Sequence, residues 1–168
     1  TLPDPTLFSS QTGGNGWGND EREPYTNRAA NASLDGHGDL VLTMRRESFT
    51  GTDGIARHYT SARLTTLGKW SFETGTLSAR IKMPAGAGLW PAFWLVGSDI
   101  ATAGWPACGE IDVVETLNSA MTEYTSAHGP DASGEFCTVS TNTRAASGSF
   151  ADGFHVYSVQ RRPGSIVT

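Results

Sequence analysis

Apolar residues in this chain recur at every second position, the period of a β-strand, and nowhere keep the spacing of an amphipathic helix. Leu40, Leu42 and Met44 alternate with Val41, Thr43 and Arg45. Leu77, Ala79, Ile81 and Met83 alternate with Ser78, Arg80 and Lys82. Residues 89–96 form a nearly continuous apolar run bounded by Gly86, Gly88 and Gly97, and further strands are expected at 121–128 and 155–159. Turn-forming clusters separate them at Leu34-Asp35-Gly36, Pro84-Ala85-Gly86 and Pro130-Asp131-Ala132-Ser133-Gly134. Short strands spaced in this way predict an all-β fold, an antiparallel sandwich or jelly roll.

The bulk properties agree. A chain of 168 residues is expected to form one domain, and no linker or repeat interrupts it. Charged residues make up only 17%, beside 20 glycines and 5 tryptophans. The net charge is −5 and the 12 basic residues are scattered, which argues against a nucleic-acid partner. No apolar run approaches the ~18 residues of a membrane-spanning helix. Thr1-Leu2-Pro3-Asp4 lacks a basic segment followed by an apolar one, so any signal peptide is expected to have gone already. Ser165-Ile166-Val167-Thr168 reads as a strand that has only begun, and further strands are expected to follow it. Cys108 and Cys137 are too few for a disulfide framework and lack zinc-ligand spacing. One bridge and two buried thiols are both open to them.

Glu110-Ile111-Asp112-Val113-Val114-Glu115 sets three acids among strong strand formers, where acids are normally depleted. In a regular strand Glu110 and Asp112 share a face and Glu115 points the other way. One extra residue at Val113-Val114, a β-bulge, brings Glu115 round to join them and sends Ile111 and one valine into a core. Two glutamates flanking a bond, one ionised and one protonated, are what glycoside hydrolysis needs. Asp112 between them can hold a proton or a hydrogen bond and separate the neighbouring pKa values. A solvated acidic face is the plainer alternative.

Other residues suit a sugar cleft but have ordinary explanations too. Trp90 and Trp94 are four apart and share a face if residues 89–96 are one strand, and Trp105 precedes the acidic strand. Flat rings stack on the C–H faces of sugars, yet tryptophans also fill cores. Arg63 could bond sugar hydroxyls or simply be exposed. His128 is placed to lie beside the acidic strand in a hairpin, where it could tune the acids or serve structure alone. Asn19, Glu21 and Tyr25 form a polar cluster after Trp17-Gly18.

Together these segments resemble glycoside hydrolase family 16, in particular its laminarinase-like endo-β-1,3-glucanases. The signature Glu-x-Asp-x-x-Glu is present as Glu110, Asp112 and Glu115, led in by Trp105-Pro106-Ala107-Cys108-Gly109. Trp17-Gly18-Asn19-Asp20-Glu21, Ser61-Ala62-Arg63-Leu64, Ala79-Arg80-Ile81-Lys82, Gly88-Leu89-Trp90-Pro91-Ala92-Phe93-Trp94, His128-Gly129-Pro130 and Phe154-His155-Val156-Tyr157 follow in the family's order. The resemblance implies a jelly roll of two curved antiparallel sheets with an open groove on the concave face. It implies Glu110 as nucleophile, Asp112 as its partner and Glu115 as general acid/base. Asn19, Arg63, Trp90, Trp94, Trp105 and His128 become candidate sugar contacts.

Two positions depart from the pattern: Ser78 stands where relatives carry an acid, and Gln160-Arg161-Arg162-Pro163 replaces a Glu-Trp-x-Pro block. The implied activity is retaining endo-hydrolysis of β-1,3-glucan by a secreted monomer, with no cofactor and no metal assigned. A glucan-binding module without turnover, or an inactive fragment, is the alternative from another class. Within enzymes, mixed-linkage glucan or algal galactan hydrolysis is the remoter option.

Overall fold

The computed structural model describes residues 1–168. Thirteen strands and one four-residue helix make up its regular structure. By internal contacts the chain divides into two compact units, Thr1–Ser71 and Phe72–Thr168.

The first unit contains β1 (Ser9–Gln11), β2 (Ala32–Leu34), β3 (Leu40–Leu42), β4 (Arg45–Thr50), β5 (Ala56–Thr60) and β6 (Arg63–Thr65). They pair as antiparallel ribbons, β1 with β6, β2 with β3 and β4 with β5. Much of what this unit buries is polar, so it must be hydrogen-bonded. Asn31 Nδ2 donates to the Thr43 carbonyl and to Thr60 Oγ1, both at 3.0 Å, while Arg28 and Thr60 hold the Glu47 carboxylate. The alternation at residues 40–44 yields only the three residues of β3, and Leu40, Val41 and Leu42 are all exposed.

The second unit holds β7 (Gly75–Ile81), β8 (Ala92–Val96), α1 (Ile100–Ala103), β9 (Glu110–Thr116), β10 (Thr122–Pro130), β11 (Phe136–Arg144), β12 (His155–Arg162) and β13 (Ser165–Val167). Two open antiparallel sheets form, ordered β11-β10-β9-β8 and β13-β12-β7. The β10–β11 hairpin follows from its turn chemistry. Asp131 Oδ1 accepts from the backbone N–H groups of Ser133 (2.8 Å) and Glu135 (3.1 Å), and Gly134 supplies the left-handed residue at φ 87°. Gly97 ends β8 where the chain passes the loop before β9. A Cβ there would lie 2.1 Å from the Cys108 carbonyl oxygen, so no other residue fits without movement.

Val113, Val114, Met83, Ala120, Tyr157 and Val159 form the buried core between these sheets, with Leu77, Ile81, Phe93, Leu95 and Ile111 packed against it. The alternation read at residues 77–83 therefore holds. Two other expectations need correction. The strand read at 89–96 begins only at Ala92, although the Pro91 and Leu89 carbonyls still accept from Thr116 and Asn118. Both valines of the acidic segment enter the core, not one. Apolar Val139 and Val156 are 69% and 70% exposed on strands of the two sheets. Cys108 is half-buried and Cys137 exposed, and both are free thiols.

Candidate active site

The bulge sits where the spacing of the acids requires it. Against β8, Phe93 pairs with Val114 and Trp94 with Asp112, so one step on β8 spans two on β9. Against β10, Tyr124 pairs with Glu115 and Ser126 with Asp112, so two steps span three. Val113 is the extra residue on both sides. Partners directly opposite share a face. Glu110, Asp112 and Glu115 thus lie on one face together with Trp94, Tyr124, Ser126 and His128. Val113 and Val114, 4% and 0% exposed, anchor the bulge from below. Each buried valine contributes about 1.5–3 kcal/mol, which opposes any slip toward a regular register.

Both end glutamates accept an indole N–H. Trp90 Nε1 donates to Glu115 Oε1 at 2.6 Å, and Trp105 Nε1 donates to Glu110 Oε2. The two tryptophans are 50% and 54% exposed, so they stand as rims and not as core. Trp90 precedes β8 instead of lying within it, but it keeps the side that the strand parity gave it. Between the glutamates Asp112 is buried, and its Oδ2 lies 3.0 Å from His128 Nε2. Thr138 Oγ1 lies 3.0 Å from the other ring nitrogen. A hydroxyl can donate or accept, so Thr138 suits either tautomer of the His128 ring.

Electrostatics separates the acids. Burial, then the charges of Glu115 and Glu110, push the Asp112 carboxyl up from its ordinary 3.8 to about 7, against the opposing effect of His128. Glu115 is also raised, mainly by burial, with the Trp90 hydrogen bond opposing and the charge of Glu110 adding. A protonated Asp112 removes one of three adjacent negative charges. The linkage has a definite sign. Asp112 binds its proton more tightly when folded, so its contribution to stability is full below about pH 4 and is lost as pH rises through about 7. Parent minus Asp112→Asn stability, measured by thermal unfolding, is therefore expected to fall between pH 4 and 7. A difference that rose over that range would contradict a raised carboxyl.

Of the predicted sugar contacts, the fold brings Trp90, Trp94, Trp105 and His128 to the carboxylates. Asn19 and Arg63 belong to the first unit, where they form a cluster of their own. Arg63 lies over the Trp17 ring at 4.8 Å and the Tyr25 ring at 5.9 Å, and its Nε donates to Gln11 Oε1 at 2.7 Å. Asn19 Nδ2 donates to Glu21 Oε1 at 3.3 Å, and the Tyr25 hydroxyl donates to the other Glu21 oxygen. Sequence reasoning missed β11 altogether, and with it Phe136, Thr138, Ser140 and Asn142 on the carboxylate face. The turn at Pro130–Gly134 was the available signal, since a strand leaving it must return beside β10.

An antiparallel sheet that lifts a bulge-phased row of three carboxylates between two indole rims, backed by a second sheet, is the architecture of a β-sandwich glycoside hydrolase domain. Comparison with known proteins narrows the class. The family model for the XgeA-like catalytic GH16 domain matches residues 26–160. The chain belongs to glycoside hydrolase family 16, and its fold is that family's jelly roll. It is 40% identical over 116 residues to a beta-glucanase of Rhodothermus marinus, covering 68% of this chain and 39% of the relative. It is 34% identical over 164 residues to a glucan endo-1,3-beta-glucosidase of Cryptopygus antarcticus, covering 95% and 58%. The laminarinase catalytic domain of Thermotoga maritima superposes with a TM-score of 0.85 at 35% identity, over 99% of this chain and 68% of that one. The chain thus spans about half the length of these two curated relatives.

Proposed function

We propose that this chain carries the centre of a retaining endo-β-1,3-glucanase, with Glu110 as nucleophile, Glu115 as general acid/base and Asp112 as the proton-holding partner between them. The observation that carries the reading is the phasing of β9: two glutamates on one face, each tied to a tryptophan rim, flank a buried acid. Glucan-cleaving relatives support the substrate class. Such a substrate is polymeric, which suits a secreted protein.

In the first step Glu110 attacks the anomeric carbon while Glu115 gives its proton to the leaving oxygen. The raised pKa of Glu115 keeps it protonated for that step. Bond formation neutralises Glu110 and so removes a charge that holds the Glu115 pKa up. Glu115 can then accept a proton from water in the second step. Retention requires the two carboxyls about 5–5.5 Å apart, because no water stands between nucleophile and sugar.

Proton NMR of the first product released from laminarin is expected to show the β-anomer, and an initial α-anomer would rule out double displacement. A reducing-sugar assay run beside a pull-down on insoluble glucan separates hydrolysis from binding alone. Trp90→Phe removes the hydrogen bond that lowers the Glu115 pKa, so the basic limb of the kcat/KM profile should move to higher pH. An unmoved limb would mean that Glu115 is not the acid.

A further inference from the structure

We infer that Phe136 is a positioning residue for the carboxylate row, acting through Trp105 and His128. The inference rests on reading Glu110, Asp112 and Glu115 as the reactive groups. Phe136 opens β11 directly opposite Pro130, and Thr138, two residues on, lies opposite His128, which in turn lies opposite Glu110. Strand parity therefore puts Phe136 on the carboxylate face, diagonal to His128.

The side chains close a triangle. The Phe136 ring is parallel to the His128 imidazole, with 6° between planes and 6.3 Å between centroids. It lies 5.3 Å from the Trp105 ring at 53°, and Trp105 and His128 are themselves 6.3 Å apart. Two corners hold the acids: Trp105 donates to Glu110, and His128 bonds Asp112. The third corner has no polar atom and touches both of the others.

Each of those two residues needs an external stop. Trp105 lies between α1 and β9, outside any ladder, and is 54% exposed, so its own backbone does little to fix the indole. His128 is fixed at one nitrogen by a hydroxyl that can rotate, which leaves the ring plane to its neighbours. Phe136 is itself 54% exposed on a strand whose residues are all exposed, so these two rings are the aromatic partners that hold it in place.

Removing the ring should loosen both acids' partners. The titratable groups acting on Asp112 are Glu110 and Glu115 along β9 and His128 on β10. The residues facing it from neighbouring strands, Trp94 on β8 and Ser126 on β10, with Ser140 and Thr138 beyond on β11, are neutral. Weakening the His128 contact therefore has one direction: Asp112 titrates at higher pH.

The test compares Phe136→Ala, Phe136→Leu and Phe136→Tyr with the parent, by carbon-13 NMR titration of the Asp112 carboxyl and by kinetics on laminarin. Phe136→Ala should raise the Asp112 midpoint and lower kcat by up to roughly a hundredfold, the scale on which an ångström of misplacement acts, with KM changed much less. Phe136→Tyr, which keeps the flat ring, should restore both; Phe136→Leu, which keeps apolar volume only, should restore neither. A leucine variant that matches the parent reduces Phe136 to packing and overturns the inference, as does a rise in KM alone. Should the alanine variant not fold, the leucine and tyrosine variants still decide. If the parent itself hydrolyses no glucan, the proposed function fails, yet the carboxyl titration still reads the positioning.

Discussion

Glu110→Ala is expected to abolish hydrolysis of laminarin, with kcat lower by about four orders of magnitude or more, the scale on which loss of a covalent nucleophile is felt. Alanine at this position leaves no group to bond the anomeric carbon, so water would have to attack directly with no carboxylate placed to activate it. The rest of the row remains: Asp112 keeps His128, and Glu115 keeps Trp90. Substrate binding should therefore survive, and circular dichroism should match the parent. Loss of the Glu110 charge also removes one cause of the raised Glu115 pKa, which lowers it. Added azide can enter from the vacated side in a single displacement, giving an α-glycosyl azide. A β-glycosyl azide from this variant would mean that nucleophile and acid have been exchanged in the assignment.

Glu115→Ala is expected to give the complementary result. Removing a general acid typically costs ~10²–10⁴-fold, so laminarin hydrolysis should fall within that range. A β-glucoside with a nitrophenolate leaving group needs no proton to depart, and its first step should run near the parent rate. The glycosyl-enzyme then accumulates because no base activates water, and turnover stalls after a burst. Azide needs no such activation. It should restore turnover and yield a β-glycosyl azide through two successive inversions. The basic limb of the pH profile should vanish with the residue that produced it. If Glu115 only bound substrate, leaving-group ability would make no difference.

The carboxylate row was legible because its spacing conflicts with a regular strand. Three acids at positions 110, 112 and 115 make chemical sense on one face only if a residue is inserted, and Val113 is that residue. His128 was legible through strand order, since a hairpin partner of β9 must set some residue opposite Glu110. Other features left no local trace. β11 has every residue exposed and no apolar alternation, the behaviour of an edge strand, so nothing in its sequence marks a buried face. Phe136, Thr138 and Ser140 went unread for that reason. The indole bonds to Glu110 and Glu115 depend on side-chain rotamers, which no spacing encodes. At residues 40–44 alternation promised a half-buried strand, yet β3 is short and open on both sides. Alternation reports that a face is apolar and leaves open what covers it.

The extra residue at Val113 also limits how such a centre can be gained or lost. Exchanging one amino acid for another can remove a carboxylate, but it cannot turn Glu115 from one side of the sheet to the other. Only the addition or loss of a codon within the strand does that, and it carries Glu115 across in one event. Point variants of an unbulged parent strand can set three acids on one face only at alternate positions, so they would not assemble this spacing. A library that permits single-codon insertions and deletions between Asp112 and Glu115 would reach it in one step and leave it as easily.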